Sequence, residues 1–179
     1  MTGLPAWHEE AISKSHDRRS FDCGDGDLNQ FLAQYARQAH EAGSAKTYCA
    51  VVTAQPAKVL GFYTISPAQI EFAAVPMQSR PRTAGRYPFG CFRLGRLAVD
   101  RSCQGRGLGS QLLASALERC CRASKEVGGT ALLIDAKDDA GAGWYEGFGA
   151  LRLLDRPLSL VLTYAEYNRA RVMAGLEPL

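Results

Sequence analysis

The chain has 179 residues, 46% of them hydrophobic and 22% charged, with a formal net charge of +3. These values fit one globular domain; they exclude a long disordered chain, a collagen and a coiled coil. No apolar run reaches the ~20 residues of a membrane span, and the start, Met1 to Glu10, lacks a basic and an apolar leader segment, so a cytoplasmic protein without membrane attachment is expected.

Read in chain order, residues 11–20 are polar and offer room for a short first strand. Asp25 or Asp27 serves as a helix N-cap. Leu28, Phe31, Leu32, Tyr35, Ala36 and Ala39 then recur at helical spacing, which predicts one amphipathic helix or two short ones over 27–42, ended by Gly43. Lys46–Thr53 and Val59–Ile65 read as two strands joined by a hairpin-length connection. Residues 71–90 hold three of the eight prolines and read as a loop.

Cys91–Val99 predicts a strand broken at Gly95, and Gly107–Ser124 a helix with Leu108, Leu112, Ala116, Leu117 and Cys120 on one face. Ala131–Ile134 is a short apolar run of the kind buried on both faces. A short helix over about 140–146, strands at 151–154 and 158–163, and a terminal helix over 164–173 complete the order. A hairpin followed by strand–helix–strand–helix–strand predicts a mixed α/β sheet with helices on both faces rather than a doubly wound one.

The six cysteines (23, 49, 91, 103, 120 and 121) show no C-x2-C spacing, and His8, His16 and His40 are scattered. No metal site is expected, and the cysteines read as reduced packing residues. Charge is less evenly spread. Between Arg80 and Arg106 there are seven arginines and one acid, Asp100. A basic stretch in a nearly neutral chain points to phosphate binding, and here it runs into a glycine-rich turn.

That turn, Gln104-Gly105-Arg106-Gly107-Leu108-Gly109-Ser110, follows the strand Arg96-Leu97-Ala98-Val99 and opens a helix. Glycines there let several backbone N–H groups converge at the positive end of a helix, an arrangement that binds anions. A P-loop needs Lys-Ser/Thr after its last glycine and fails. A dinucleotide fingerprint needs G-x-G-x-x-G and fits poorly. The pattern Gln/Arg-x-x-Gly-x-Gly/Ala is met by Gln104, Gly107 and Gly109.

Together with the β-α-β that follows and with Trp144-Tyr145-Glu146-Gly147-Phe148-Gly149, this pattern resembles the GCN5-related N-acetyltransferases (GNAT). Phe21-Asp22-Cys23-Gly24, Leu28-Asn29-Gln30-Phe31-Leu32, Gly61-Phe62-Tyr63-Thr64-Ile65-Ser66, Arg86-Tyr87-Pro88 and Leu94-Gly95-Arg96-Leu97-Ala98-Val99-Asp100 extend the likeness over roughly residues 10–162. They resemble one subgroup, the toxins of type II toxin–antitoxin modules that acetylate the α-amino group of aminoacyl-tRNA. Ala150 departs from the usual Phe-Gly-Phe, and the tail with its extra helix over about 164–174 is longer than the subgroup's.

The resemblance implies a single domain over 1–179. It implies a mostly antiparallel sheet with a splayed parallel pair of strands. Acetyl-CoA is then the co-substrate. Leu97, Ala98 and Val99 pair with its pantetheine, and Gln104, Gly105, Arg106, Gly107, Leu108, Gly109 and Ser110 hold its pyrophosphate. Tyr145 protonates the departing thiolate. The implied partners are an aminoacyl-tRNA substrate, a small DNA-binding antitoxin and a second copy in a homodimer. Arg80, Arg82, Arg86 and Arg93 exceed what one CoA needs and are candidate RNA contacts. A GNAT enzyme acting on a small-molecule or protein amine is the alternative, and a non-catalytic CoA-binding module a third reading.

Overall fold

The computed structural model describes residues 3–82 and 85–179. Its strands are β1 (Trp7–Ala11), β2 (Lys46–Val52), β3 (Gln55–Ile70), β4 (Phe89–Val99), β5 (Ala131–Asp135), β6 (Leu151–Arg152) and β7 (Ser159–Thr163). The helices are α1 (Gly26–Gln30), α2 (Ala36–Ala42), α3 (Leu108–Val127), α4 (Asp139–Glu146) and α5 (Tyr164–Met173). Hydrogen bonding orders the strands β1-β2-β3-β4-β5-β7-β6. β4 and β5 run parallel, while β1–β2, β2–β3, β5–β7 and β6–β7 are antiparallel. This is the mixed sheet expected from the sequence, mostly antiparallel with one parallel pair as the resemblance implies.

The chain divides into two compact units. The first comprises the residues up to Ser66 together with Gly95–Ala116. Its core holds Ile12, Phe21, Leu32, Ala36, Cys49, Val51, Val59, Phe62 and Ala98. Phe62 is central: Phe21 meets it edge-on at 5.5 Å and Phe31 stacks on it at 6.2 Å. Asp25 caps α1, its carboxylate accepting from the N–H groups of Asp27 and Leu28.

The predicted 27–42 helix is continuous but carries a π-helical turn at Phe31–Tyr35. The Ala36 N–H bonds to the Phe31 carbonyl, five residues back. That extra residue rotates the face, so Leu32 and Ala36 are buried whereas Tyr35, expected on the apolar side, is 53% exposed. At Gly61 an added Cβ would lie 2.8 Å from Leu112 Cδ1 and 2.9 Å from the Ala98 carbonyl, so only glycine allows this approach.

Two sequence expectations are corrected in this unit. The first strand lies at Trp7–Ala11, not within 11–20. Residues 13–20 make a single isolated bridge, Asp17 to Lys58, and otherwise turn on side-chain bonds: Ser13 N–H donates to His16 Nδ1, and the Asp17 carboxylate accepts from the N–H groups of Arg19 and Ser20. Such side-chain contacts compete with a strand ladder. The β2–β3 hairpin turns at residues 53–54 rather than over 54–58, with register shifts after Ala50.

The second unit comprises Pro67–Leu94 and Leu117–Leu179. Ile70, Val75, Cys91, Ala131, Leu133, Leu153 and Val161 form a core here. The all-apolar reading of β5 holds, since Ala131–Ile134 are all buried. α5 starts at the predicted residue, with Thr163 and Glu166 forming a capping box. The proline-rich stretch has two 3-10 turns, Phe72–Ala74 and Met77–Ser79. All six cysteines are free, and all but Cys23 are buried. Among the described residues no helix is long and apolar enough to cross a membrane, and no cluster of metal-ligating side chains exists.

Candidate active site

In the first unit the site begins where β4 ends. Asp100 starts a single 3-10 turn, Arg101–Cys103, its Oδ1 accepting from the Ser102 N–H at 2.9 Å and the Ser102 hydroxyl at 2.6 Å. Cys103 is buried beneath it. The chain then turns through Gly105 at φ +72° and Gly107 at φ +83°. These left-handed angles cost any residue with a Cβ on the order of 1–2 kcal/mol.

Leu108 is buried and anchors the start of the 20-residue α3. The first intrahelical backbone bond runs from the Gln111 N–H to the Gly107 carbonyl at 3.3 Å. Helix geometry therefore leaves the N–H groups of Leu108, Gly109 and Ser110 without intrahelical acceptors, at the positive end of the helix dipole. Such an arrangement is able to hold an anion such as a phosphate. Arg106 is exposed next to it.

Gln104 behaves differently from its neighbours. Its side-chain amide donates to the Cys23 and Val99 carbonyls, both at 2.9 Å, and so braces the turn internally. Arg101 is also engaged, pairing with Asp22 at 3.2 Å. Asp22 further accepts from Asn29 Nδ2 and the Gly24 N–H, and those bonds hold its carboxyl below the usual range despite some desolvation. The Asp22–Asn29 segment is thus hydrogen-bonded to the strand end that carries the glycine turn. Sequence reading assigns Asp22, Asn29 and Asp100 no role; the only signal is their place in the quoted motifs.

β4 runs unbroken through Gly95. What ends there is its partnership with β5, which covers only Phe92–Leu94 against Leu132–Ile134. Beyond that point β4 continues to Val99 without a β5 partner, with Ala98 buried and Leu97 and Val99 half-buried. Parallel strands that part in this way leave backbone N–H and C=O groups for an extended ligand.

In the second unit Tyr145 lies near the C-terminal end of α4. It is 9% exposed, and burial pushes its phenol up to about 12. Trp144 packs edge-on against it at 4.9 Å. Trp144 and Phe148 are 40% and 43% exposed, so both are surface aromatics.

Of the candidate bases Glu71, Asp135 and Glu146, the last two are ion-paired. Asp135 pairs with Arg93 at 3.2 Å and accepts from the Ser159 hydroxyl, while Glu146 pairs with Arg152 at 3.0 Å. Arg93 is thereby tied to Asp135. Arg80 is tied as well: it donates to the Val75 and Ala73 carbonyls and lies over the Phe72 ring at 5.0 Å. Arg82 and Arg86 are exposed.

Residues 45–149 match the family model described as an acetyltransferase (GNAT) domain. The chain belongs to the GNAT family. Within it, a Mycobacterium tuberculosis protein named tRNA-acetylating toxin is 34% identical over 98% of this chain and 99% of its own length. The structure of AtaT complexed with acetyl-methionyl-tRNAfMet superposes with a TM-score of 0.86 at 27% identity, over 92% of this chain and 99% of AtaT. A tyrosine-to-phenylalanine variant of AtaT, bound to the C-terminus of the antitoxin AtaR and to acetyl-CoA, gives a TM-score of 0.77 at 25% identity, over 94% and 98% of the two chains.

Proposed function

We propose that this GNAT chain acts as one acetyltransferase domain, a toxin that uses acetyl-CoA to acetylate the α-amino group of aminoacyl-tRNA and so stops translation. The observation that carries the reading is the 34% identity to a tRNA-acetylating toxin across 98% of this chain. Supporting it are the phosphate cradle of Gly105, Gly107 and the α3 N-terminus, and the stretch of β4 at Leu97–Val99 beyond its pairing with β5, where Gln104 takes the Val99 carbonyl. In this reading the cradle holds the CoA pyrophosphate and the strand pairs with pantetheine. A small DNA-binding antitoxin neutralises the toxin, which works as a cytoplasmic homodimer.

The chemistry follows from the groups present. The neutral amine attacks the thioester carbonyl, a C–N bond forms, the C–S bond breaks, and the thiolate takes the Tyr145 proton. The proton lost from nitrogen restores the phenol. Burial keeps that phenol protonated and thus a donor. A general base is dispensable for an α-amine of pKa near 8, of which about a tenth is neutral at pH 7, but not for an ε-amine near 10.4. With Asp135 and Glu146 engaged by arginines, an α-amine, which needs no base, is the simpler substrate. Exposed Arg82 and Arg86 are the candidates for the RNA backbone.

The test is incubation with acetyl-CoA and a total charged-tRNA pool, followed by analysis of the released amino acids. N-acetylated amino acids are expected. Acetylation of free amines or peptides with none on charged tRNA would overturn the substrate assignment.

A further inference from the structure

α4 is an intrinsically weak helix. It has eight residues, Asp139–Glu146, and two of them are Gly141 and Gly143, each costing about 1 kcal/mol relative to alanine. One N-cap bond, from the Gly141 N–H to Asp138, supports its start. Yet this helix carries Tyr145.

One side chain holds both of its ends. Arg152 Nη1 meets Asp139 Oδ1 at 2.6 Å, while Nε and Nη2 reach the two oxygens of Glu146 at 3.0 and 3.3 Å. Nη1 also lies 3.4 Å from the Pro157 carbonyl. Asp139 and Glu146 are seven residues apart, about two turns or roughly 10 Å, and so share a face. Arg152 itself belongs to β6, where it pairs with Leu160 of β7. The guanidinium thus ties the whole length of α4 to a sheet strand. Tyr145 lies about 100° round the helix from Glu146, so the clamp does not touch the phenol.

We propose that Arg152 is a positioning residue that sets the placement of the Tyr145 hydroxyl by clamping α4 at Asp139 and Glu146. The inference rests on the reading of Tyr145 as the acid. A planar five-donor group suits this task and an ammonium does not.

The experiment is a double-mutant cycle on the full chain, with steady-state acetylation of charged tRNA as readout and the melting temperature recorded for each variant. Arg152→Ala should lower kcat by roughly 10²-fold, the scale of a misplaced reacting group, and leave the KM for acetyl-CoA near wild type. Arg152→Lys should restore little. In a Tyr145→Phe background, Arg152→Ala should cause no further loss, because its effect runs through the hydroxyl. Should Arg152→Ala not fold, Glu146→Gln, which removes the two-point contact at one end, takes its place in the cycle. Equal slowing in both backgrounds, or no slowing in the wild-type one, overturns the clamp. A Tyr145→Phe enzyme with wild-type kcat would instead overturn the acid assignment.

Discussion

The Asp22 N–H donates to the Asp100 carboxylate at 3.0 Å, joining two turns 78 residues apart. The Arg101 N–H returns a bond to the Asp22 carbonyl at 2.9 Å. Between them these groups hold the end of β4, from which the glycine turn starts. Asp100→Ala removes the acceptor of three donors: the Asp22 N–H, the Ser102 N–H and the Ser102 hydroxyl. A several-fold rise in the KM for acetyl-CoA and a loss of about 1–3 kcal/mol in stability are expected. Chemical denaturation and kinetics check both; unchanged KM would show that the lock does not serve the cradle.

The same lock has a pH signature. Asp22 is held below its ordinary value by bonds from Asn29 and Gly24, with Arg101 adding to them. A carboxyl depressed in the folded state stabilises fully above its unfolded value of about 3.9, and that contribution is lost as pH falls through the folded value. Melting temperatures of wild type and Asp22→Asn should differ by a constant amount above pH 5 and converge below pH 4. A gap that stays constant to pH 3 would exclude the effect.

Gly107→Asp and Gly109→Asp place a carboxylate at the cradle, and the first also forces a side chain into φ +83°. Calorimetry should detect no CoA binding by either variant. Retained affinity would remove the pyrophosphate from this turn.

Tyr145→Phe should slow acetyl transfer by ~10²–10⁴-fold, the usual worth of a positioned acid, with CoA affinity unchanged. Because burial moves the phenol up to about 12, the protonated form persists, and kcat should not fall between pH 8 and 10 through loss of this proton. A fluorinated tyrosine at position 145, being more acidic, should bring that fall to lower pH. A limb near pH 10 in the wild type would mean that the bound phenol is not desolvated.

The arginines divide into two pairs. Arg82→Ala and Arg86→Ala should weaken tRNA binding and flatten its log–log salt dependence by roughly 0.7–0.9 per lost contact. Arg80→Ala and Arg93→Ala should instead lower the melting temperature, since they release the Val75 and Ala73 carbonyls and the Asp135 carboxylate. Binding titrations across salt concentrations separate the two; an unaltered slope for the first pair would return the substrate to a small amine.

Much of this architecture is legible in the residues alone. The helix over 164–173, the apolar β5 strand and the glycine turn follow from a few consecutive side chains whose backbone demands are local. Expectations fail where a local signal meets a distant partner. Tyr35 shares the apolar spacing of its helix, but the π turn at Phe31–Tyr35 shifts the phase and turns it outward. Arg80 and Arg93 sit in a basic run that reads as a phosphate surface, yet Arg80 donates to the Val75 and Ala73 carbonyls and Arg93 is ion-paired with Asp135.

By itself, then, the sequence determined the order of elements, the glycine turn at Gln104–Ser110 and the tyrosine on a short helix, because glycine placement and residue periodicity act over one or two turns of chain. Only the tertiary structure decided which charges remain available. Asp22 meets Asp100 and Arg152 reaches both ends of α4 through hydrogen bonds, Arg93 meets Asp135 as an ion pair, and no periodicity in the sequence specifies which distant donor will close on which acceptor.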